Sequence, residues 1–131
     1  NSKGVSMNPN LHILLVEDDH DISEAIQSIL EEEKYVVKCA FNGKEALEYL
    51  ATAENTPSLI LLDVMMPVMN GYEFRNAQLQ NPKLANIPTI LLSAGAVGDN
   101  RVDMAKLNFK DSLQKPLDLD ILIDVIKKYI S

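Results

Sequence analysis

The chain has 131 residues, 47% of them apolar and 24% charged, enough for one globular domain with a proper core. Twelve basic against nineteen acidic residues leave a net charge of −7, which argues against a nucleic-acid surface on this chain. No apolar run approaches the roughly 18 residues that a membrane-spanning helix needs, and no signal peptide is visible.

Residues 1–10 are polar and aperiodic, and are expected to be a disordered tail or a cloning scar ahead of a domain at 11–131. Leu11 to Val16 then reads as a first strand, running into Glu17-Asp18-Asp19. His20-Asp21 is predicted as a loop, with Asp21 and Glu24 forming a capping pattern for a helix that buries Ile22, Ala25, Ile26, Ile29 and Leu30. Tyr35 to Ala40 suits a second strand, in which Cys39 is expected to be a small buried thiol. As the single cysteine it has no disulfide partner in the chain, so a reducing cytoplasm is the expected location. Asn42 and Glu45 repeat the capping signal for a helix carrying Ala46, Leu47, Leu50 and Ala51.

Ser58-Leu-Ile-Leu-Leu-Asp63 is a buried strand that ends in one aspartate and is stopped by Pro67. Asn70 and Glu73 start a third, weakly amphipathic helix with Phe74 and Ala77. Ile87 to Ser93 is a fourth buried strand. Gly98 and Asn100 weaken a helix over 96–107, and Asn108 is placed to end it in the left-handed conformation. A short strand near Ser112-Leu113-Gln114 follows, then Lys115-Pro116 and a helix over Leu119, Leu122, Ile123, Ile126 and Ile130, capped by Asp118. Strict strand–helix alternation predicts a doubly wound α/β domain around a five-stranded parallel sheet. Right-handed crossovers put every strand's carboxyl end at one edge. That edge collects Glu17-Asp18-Asp19, Asp63, Ser93 and Lys115, where such folds bind their ligands.

Carboxylates crowded at one edge raise one another's pKa unless a cation intervenes. All-oxygen ligation suits Mg²⁺, and carboxylate-held Mg²⁺ usually accompanies a phosphate. A hydroxyl (Ser93) and an ammonium (Lys115) are the donors a phosphoryl group in transfer would use, which leaves Asp63 as its acceptor. Residue chemistry alone does not choose among Glu17, Asp18 and Asp19 as metal ligands. His20 is expected to be a solvated loop residue, and His12 has no evident role.

These residues resemble the receiver domain of two-component response regulators. Leu14-Leu-Val-Glu-Asp-Asp19 is similar to the family's acidic first-strand motif, and Leu61-Leu-Asp-Val-Met-Met-Pro67 to its phosphoacceptor motif. Met69-Asn-Gly-Tyr-Glu73, Ile90-Leu-Leu-Ser-Ala94 and Lys115-Pro116 complete the set over about residues 11–130. The resemblance implies a flavodoxin-like sheet of order 2-1-3-4-5 and phosphorylation of Asp63 by a histidine kinase or a histidine phosphotransfer protein. It implies Mg²⁺ held by Asp18, by Glu17 through water, by Asp63 and by the backbone carbonyl of Met65, and it excludes Asp19. Ser93 becomes the switch hydroxyl, Lys115 the phosphate contact, the Lys115–Pro116 bond cis, and Ala94 the small residue that leaves the phosphoryl group accessible.

One departure concerns output. Three residues before the lysine the family usually carries an aromatic that rotates inward on activation, and here Ser112 stands there. Either Ser93 works alone, or Phe109 or Tyr129 takes over, or partner recognition differs. Downstream, an unidentified protein partner is expected at the face of the fourth helix, fifth strand and fifth helix, with no nucleic acid bound by this chain and no membrane insertion. The apolar last helix suggests a monomer or a weak dimer. Two rivals remain, a small Mg²⁺-dependent phosphohydrolase and a receiver-like binding module that is not phosphorylated; neither a cap domain nor a general acid for the first is present in the sequence.

Overall fold

Runs of large aliphatics leave a strand no face to show to water, so the sheet they build must be covered on both sides. A computed structural model describes residues 11–93 and 104–130; the predicted tail at 1–10, Ala94 and most of the predicted helix at 96–107 lie outside the described residues. The elements are β1 (Ile13–Val16), α1 (His20–Glu32), β2 (Val37–Ala40), α2 (Gly43–Thr52) and β3 (Leu59–Asp63), then α3 (Gly71–Leu79), β4 (Thr89–Ser93), α4 (Met104–Leu107), β5 (Asp111–Gln114) and α5 (Leu119–Tyr129). All strand pairs are parallel and the order is β2-β1-β3-β4-β5, the doubly wound α/β arrangement.

Alternation along the strands divides the core in two. Ile13, Leu15, Leu59, Leu61, Ile90 and Leu92 pack with Ile26 and Leu30 of α1 and with Leu122 and Ile126 of α5. Leu14, Val16, Ile60 and Leu62 point the other way, onto Ala46 and Leu50 of α2 and Phe74 of α3. Each of these aliphatic side chains stabilises the fold by roughly 1.5–3 kcal/mol through burial. The α5 stripe that suggested a weak dimer (Leu122, Ile123, Val125, Ile126) is used inside the domain.

The local signals set most element starts, with four corrections. Helix α1 begins at His20, so the predicted His20-Asp21 loop is absent. Asp19 caps it, its Oδ1 accepting from the backbone N–H of Asp21 at 2.9 Å and of Ile22 at 3.1 Å. Asp21 falls instead in the first turn, where a carboxylate favours the helix N-terminus. Second, β1 begins at Ile13 and β4 at Thr89, each two residues later than predicted. Third, β2 starts at Val37 because Lys34, at φ 73, turns the chain into it; Tyr35 packs on the core beside the strand. Fourth, Cys39 is only half-buried, its thiol 3.4 Å from Gln27 Oε1. Asn70 and Glu73 form the complete capping box that their spacing predicts, and Asn108, at φ 50, follows α4 in the left-handed conformation.

Candidate functional site

The sheet's hydrogen-bond ladder runs one step past the strand ends and thereby fixes the height of the site. Glu17 N–H donates to Ala40 O at 3.0 Å, Val64 N–H to Leu92 O at 3.2 Å, and Lys115 N–H to Ser93 O at 2.7 Å. These bonds bring the chain segments of Glu17, Asp63, Ser93 and Lys115 level along one edge, although up to 98 residues separate Glu17 from Lys115. The Lys115–Pro116 peptide is cis.

Carboxylate oxygens of Glu17, Asp18 and Asp63 lie within 4.8 Å of one another. Glu17 and Asp63 are buried, at 1% and 2% exposure, and Asp18 is half-buried. Lys115 Nζ closes the group, 2.6 Å from Glu17 Oε1 and 3.2 Å from Asp63 Oδ1. Glu17 Oε2 also accepts from the backbone N–H of Asp19 at 3.2 Å. Burial pushes the Glu17 carboxyl up to about 7, against the pull of its hydrogen bonds to Lys115 and Asp19. Burial also raises Asp63, and the Lys115 charge only partly reverses this. Burial pulls the Lys115 ammonium down, but the Glu17 hydrogen bond and the charges of Glu17 and Asp63 outweigh it and leave it above its ordinary value.

Three carboxylates and one ammonium make a cluster with a surplus of negative charge, buried at Glu17 and Asp63 and open to water at Asp18. Such a donor set, all oxygen and under-neutralised, fits a hard divalent cation such as Mg²⁺ and no soft one. Among the described residues it is the group of acidic side chains close enough together to hold an ion. Asp19 is turned away from it into its capping role.

The loop after β3 frames this site. Gly71 sits so close to Asp63 that a Cβ added there would lie 2.3 Å from the Asp63 carbonyl oxygen, and Gly71 N–H donates to Val64 O at 2.8 Å. Only glycine permits that approach. The sequence shows Asn70-Gly71 as a helix start and gives no sign of this contact. Val68, at φ 70, is the centre of a tight turn in which Met69 N–H donates to Pro67 O at 2.7 Å. The side chains of Met65 and Val68, on this loop, are exposed, at 72% and 77%.

The remaining predicted residues are placed as follows. Ser93 is buried at the end of β4. His20, the first residue of α1, stacks on Phe41 with ring centroids 4.1 Å apart, so it is not a loop residue. His12 is buried, its Nε2 2.7 Å from the Tyr49 hydroxyl. Ser112 is exposed on β5. Tyr129 donates its hydroxyl to Lys110 O at 3.1 Å, and Phe109 lies under the Arg75 guanidinium at 5.5 Å.

The family model of the response regulator receiver domain matches residues 13–127. The transcriptional regulatory protein CrdR of Helicobacter pylori is 39% identical over 119 residues, covering 91% of this chain and 54% of CrdR, so the chain spans about half the length of that relative. An uncharacterized 14.6 kDa protein of Leptolyngbya boryana is 36% identical over 119 residues, which cover 91% of this chain and 89% of the relative. Among solved structures, the signal receiver domain of a signal transduction histidine kinase from Syntrophus aciditrophicus superposes with a TM-score of 0.82 at 33% identity, over 91% of this chain and 89% of that one.

Proposed function

The chain belongs to the response regulator receiver domain family, and from that premise we propose that Asp63 accepts a phosphoryl group from a phosphohistidine donor. The observation that carries this reading is the buried carboxylate group closed by Lys115 at the carboxyl ends of the parallel strands. In the transfer the P–N bond of the donor breaks and a P–O bond to an Asp63 carboxylate oxygen forms. The imidazole leaves with the electron pair and takes up a proton.

Asp18 and Asp63, with Glu17 through water and the Met65 backbone carbonyl, would hold Mg²⁺. When bound, the cation supplies positive charge against the repulsion between Asp63 and the incoming phosphoryl oxygens. Lys115 gives up its bond to Asp63 and takes a phosphoryl oxygen while it keeps Glu17. Ser93 donates its hydroxyl to the phosphoryl group from the end of β4. The burial of Glu17 and Asp63 makes each of these charge interactions stronger than it would be in water.

The donor is a histidine kinase or a histidine phosphotransfer protein, in the cytoplasm, and the product is a switched affinity for a downstream protein. Among the described residues no helix is long and apolar enough to cross a membrane. The test is incubation with Mg²⁺ and acetyl phosphate, followed by intact mass, beside Asp63→Ala. A gain of one phosphoryl group that requires both Mg²⁺ and Asp63 is the expected result. Uptake that persists in Asp63→Ala would overturn the assignment of the acceptor.

A further inference from the structure

The largest fully buried side chain of the described residues is not in the acidic site. Arg75, on α3, is 2% exposed. Four of its five N–H donors are taken, all by neutral oxygens. Nε donates to Leu107 O at 2.7 Å, and one terminal nitrogen donates to Asn108 O at 2.9 Å. The other donates to Gln78 Oε1 at 2.9 Å and to Thr89 Oγ1 at 2.8 Å. The ring of Phe109 lies 5.5 Å away. One guanidinium thus fastens α3, the first residue of β4, the last carbonyl of α4 and the carbonyl of Asn108 after it together.

Its place in the fold connects this clamp to the acidic site by two routes. Gly71, whose backbone packs on the Asp63 carbonyl, is four residues before Arg75, and that spacing puts both on one face of α3, about 6 Å apart along the axis. Thr89 is four residues before Ser93, and strand alternation puts both on one face of β4, about 13 Å apart. A helix and a strand are stiff over such lengths. A shift of the Asp63 loop or of Ser93 therefore reaches the same guanidinium, which is bonded to the turn that opens β5.

We propose that Arg75 is the coupling residue between the acidic site and the α4–β5 turn, in the place left open by Ser112 on β5. The proposal rests on the reading of Asp63 as phosphoacceptor and adds the route by which its state is passed on. Two sites are coupled when one element has two arrangements that both sites bias, and Arg75 is bonded to both sides of that element. Lysine has no planar fork to reach four acceptors, so the role needs arginine. Phosphate uptake does not, since Arg75 touches no member of the acidic group.

The experiment uses the full chain as wild type, Arg75→Met, Arg75→Lys and Thr89→Val, each with Mg²⁺ and acetyl phosphate. Intact mass measures uptake, and amide exchange of a peptide over 104–114 measures the response. In the wild type, uptake is expected to change exchange in that peptide. In Arg75→Met and Arg75→Lys, uptake stays within about twofold while the phosphate-dependent change falls by more than half. Thr89→Val, which removes one acceptor and keeps the packing volume, shows the same direction and decides the matter if the arginine variants do not fold. A wild-type response retained in any folded variant overturns the proposal, as does a wild type that gains phosphate with no change over 104–114. A wild type that gains no phosphate refutes the acceptor reading instead, and the coupling with it.

Discussion

Replacing Asp63 by asparagine should make the metal-free protein more stable. Asp63, Asp18 and Glu17 present carboxylate oxygens within 4.8 Å of one another. At an effective dielectric constant of about 20, each repulsion across that distance amounts to about 3.5 kcal/mol. The Lys115 ammonium, 3.2 Å from Asp63, returns about 5 kcal/mol on the same scale. Two repulsions outweigh one attraction by about 2 kcal/mol, and Asp63→Asn removes all three. The lysine is not orphaned, because its bond to Glu17 at 2.6 Å remains. For a domain of this length about 2 kcal/mol corresponds to a rise in Tm of roughly 7 °C. The assay is thermal unfolding by circular dichroism at pH 8, first with a chelator and then with excess Mg²⁺. At tenfold above its dissociation constant the cation should raise the wild-type Tm by about 5 °C, and the variant's by much less. If Asp63→Asn is less stable than the wild type in chelator, the carboxylate is a structural cap and the electrostatic reasoning fails.

Three further outcomes follow from the geometry. Glu17, raised by burial from an ordinary value of 4.5 to about 7, binds its proton more tightly folded than unfolded. Its contribution is therefore fully present below about pH 4.5 and is lost as pH rises through about 7, by about 3 kcal/mol at most, so urea midpoints of the metal-free protein should fall between pH 5 and 8. Glu17→Gln should flatten that slope, and an unchanged slope would remove Glu17 as its source. Gly71→Ala drives a methyl group to 2.3 Å from the Asp63 carbonyl oxygen, so a loss of about 1–3 kcal/mol and reduced phosphate uptake are expected; wild-type values for both would mean that α3 can slide away freely. Val68→Gly should raise stability by up to about 1 kcal/mol, since a β-branched residue at φ 70 is strained by about 1–2 kcal/mol while glycine's added chain entropy offsets part of the gain. Chemical denaturation would show it, and a loss would mean that the exposed Val68 side chain makes a contact worth more than the strain.

The parallel sheet was legible because fully buried strands carry no alternation, and Leu59 to Leu62 or Ile90 to Leu92 admit few other readings. The acidic edge followed from topology, since it needed only that all strand ends fall together. What the residues alone did not reveal was decided by backbone angles or by single atoms. Asp19 and Asp21 both suit a cap, and only the extended backbone of Asp19 selects it. Nothing in the residue type marks Val68 for positive φ, which a β-branched side chain rarely adopts, and the bond from Met69 N–H to Pro67 O closes the turn around it. Arg75 was the deepest omission. In a helix with a weak apolar stripe a lone arginine reads as a solvated charge, and the sign that it is not was its partner Gln78, three residues on and on the same face.

The lysine ties the chemistry of the site to its electrostatics. In the resting arrangement Lys115 is shared between Glu17 and Asp63, and the cluster still holds two more negative charges than positive ones when all its groups are ionised. A phosphoryl group on Asp63 adds further negative charge at a buried carboxylate. The same surplus that favours a divalent cation in the resting state is therefore larger in the phosphorylated one. By linkage, whatever factor the cation contributes to holding the phosphoryl group, the phosphoryl group returns to holding the cation. Cation affinity measured with and without a stable phosphoryl mimic should then differ, and the Glu17→Gln variant, with one negative charge fewer, should hold the cation more weakly in both states.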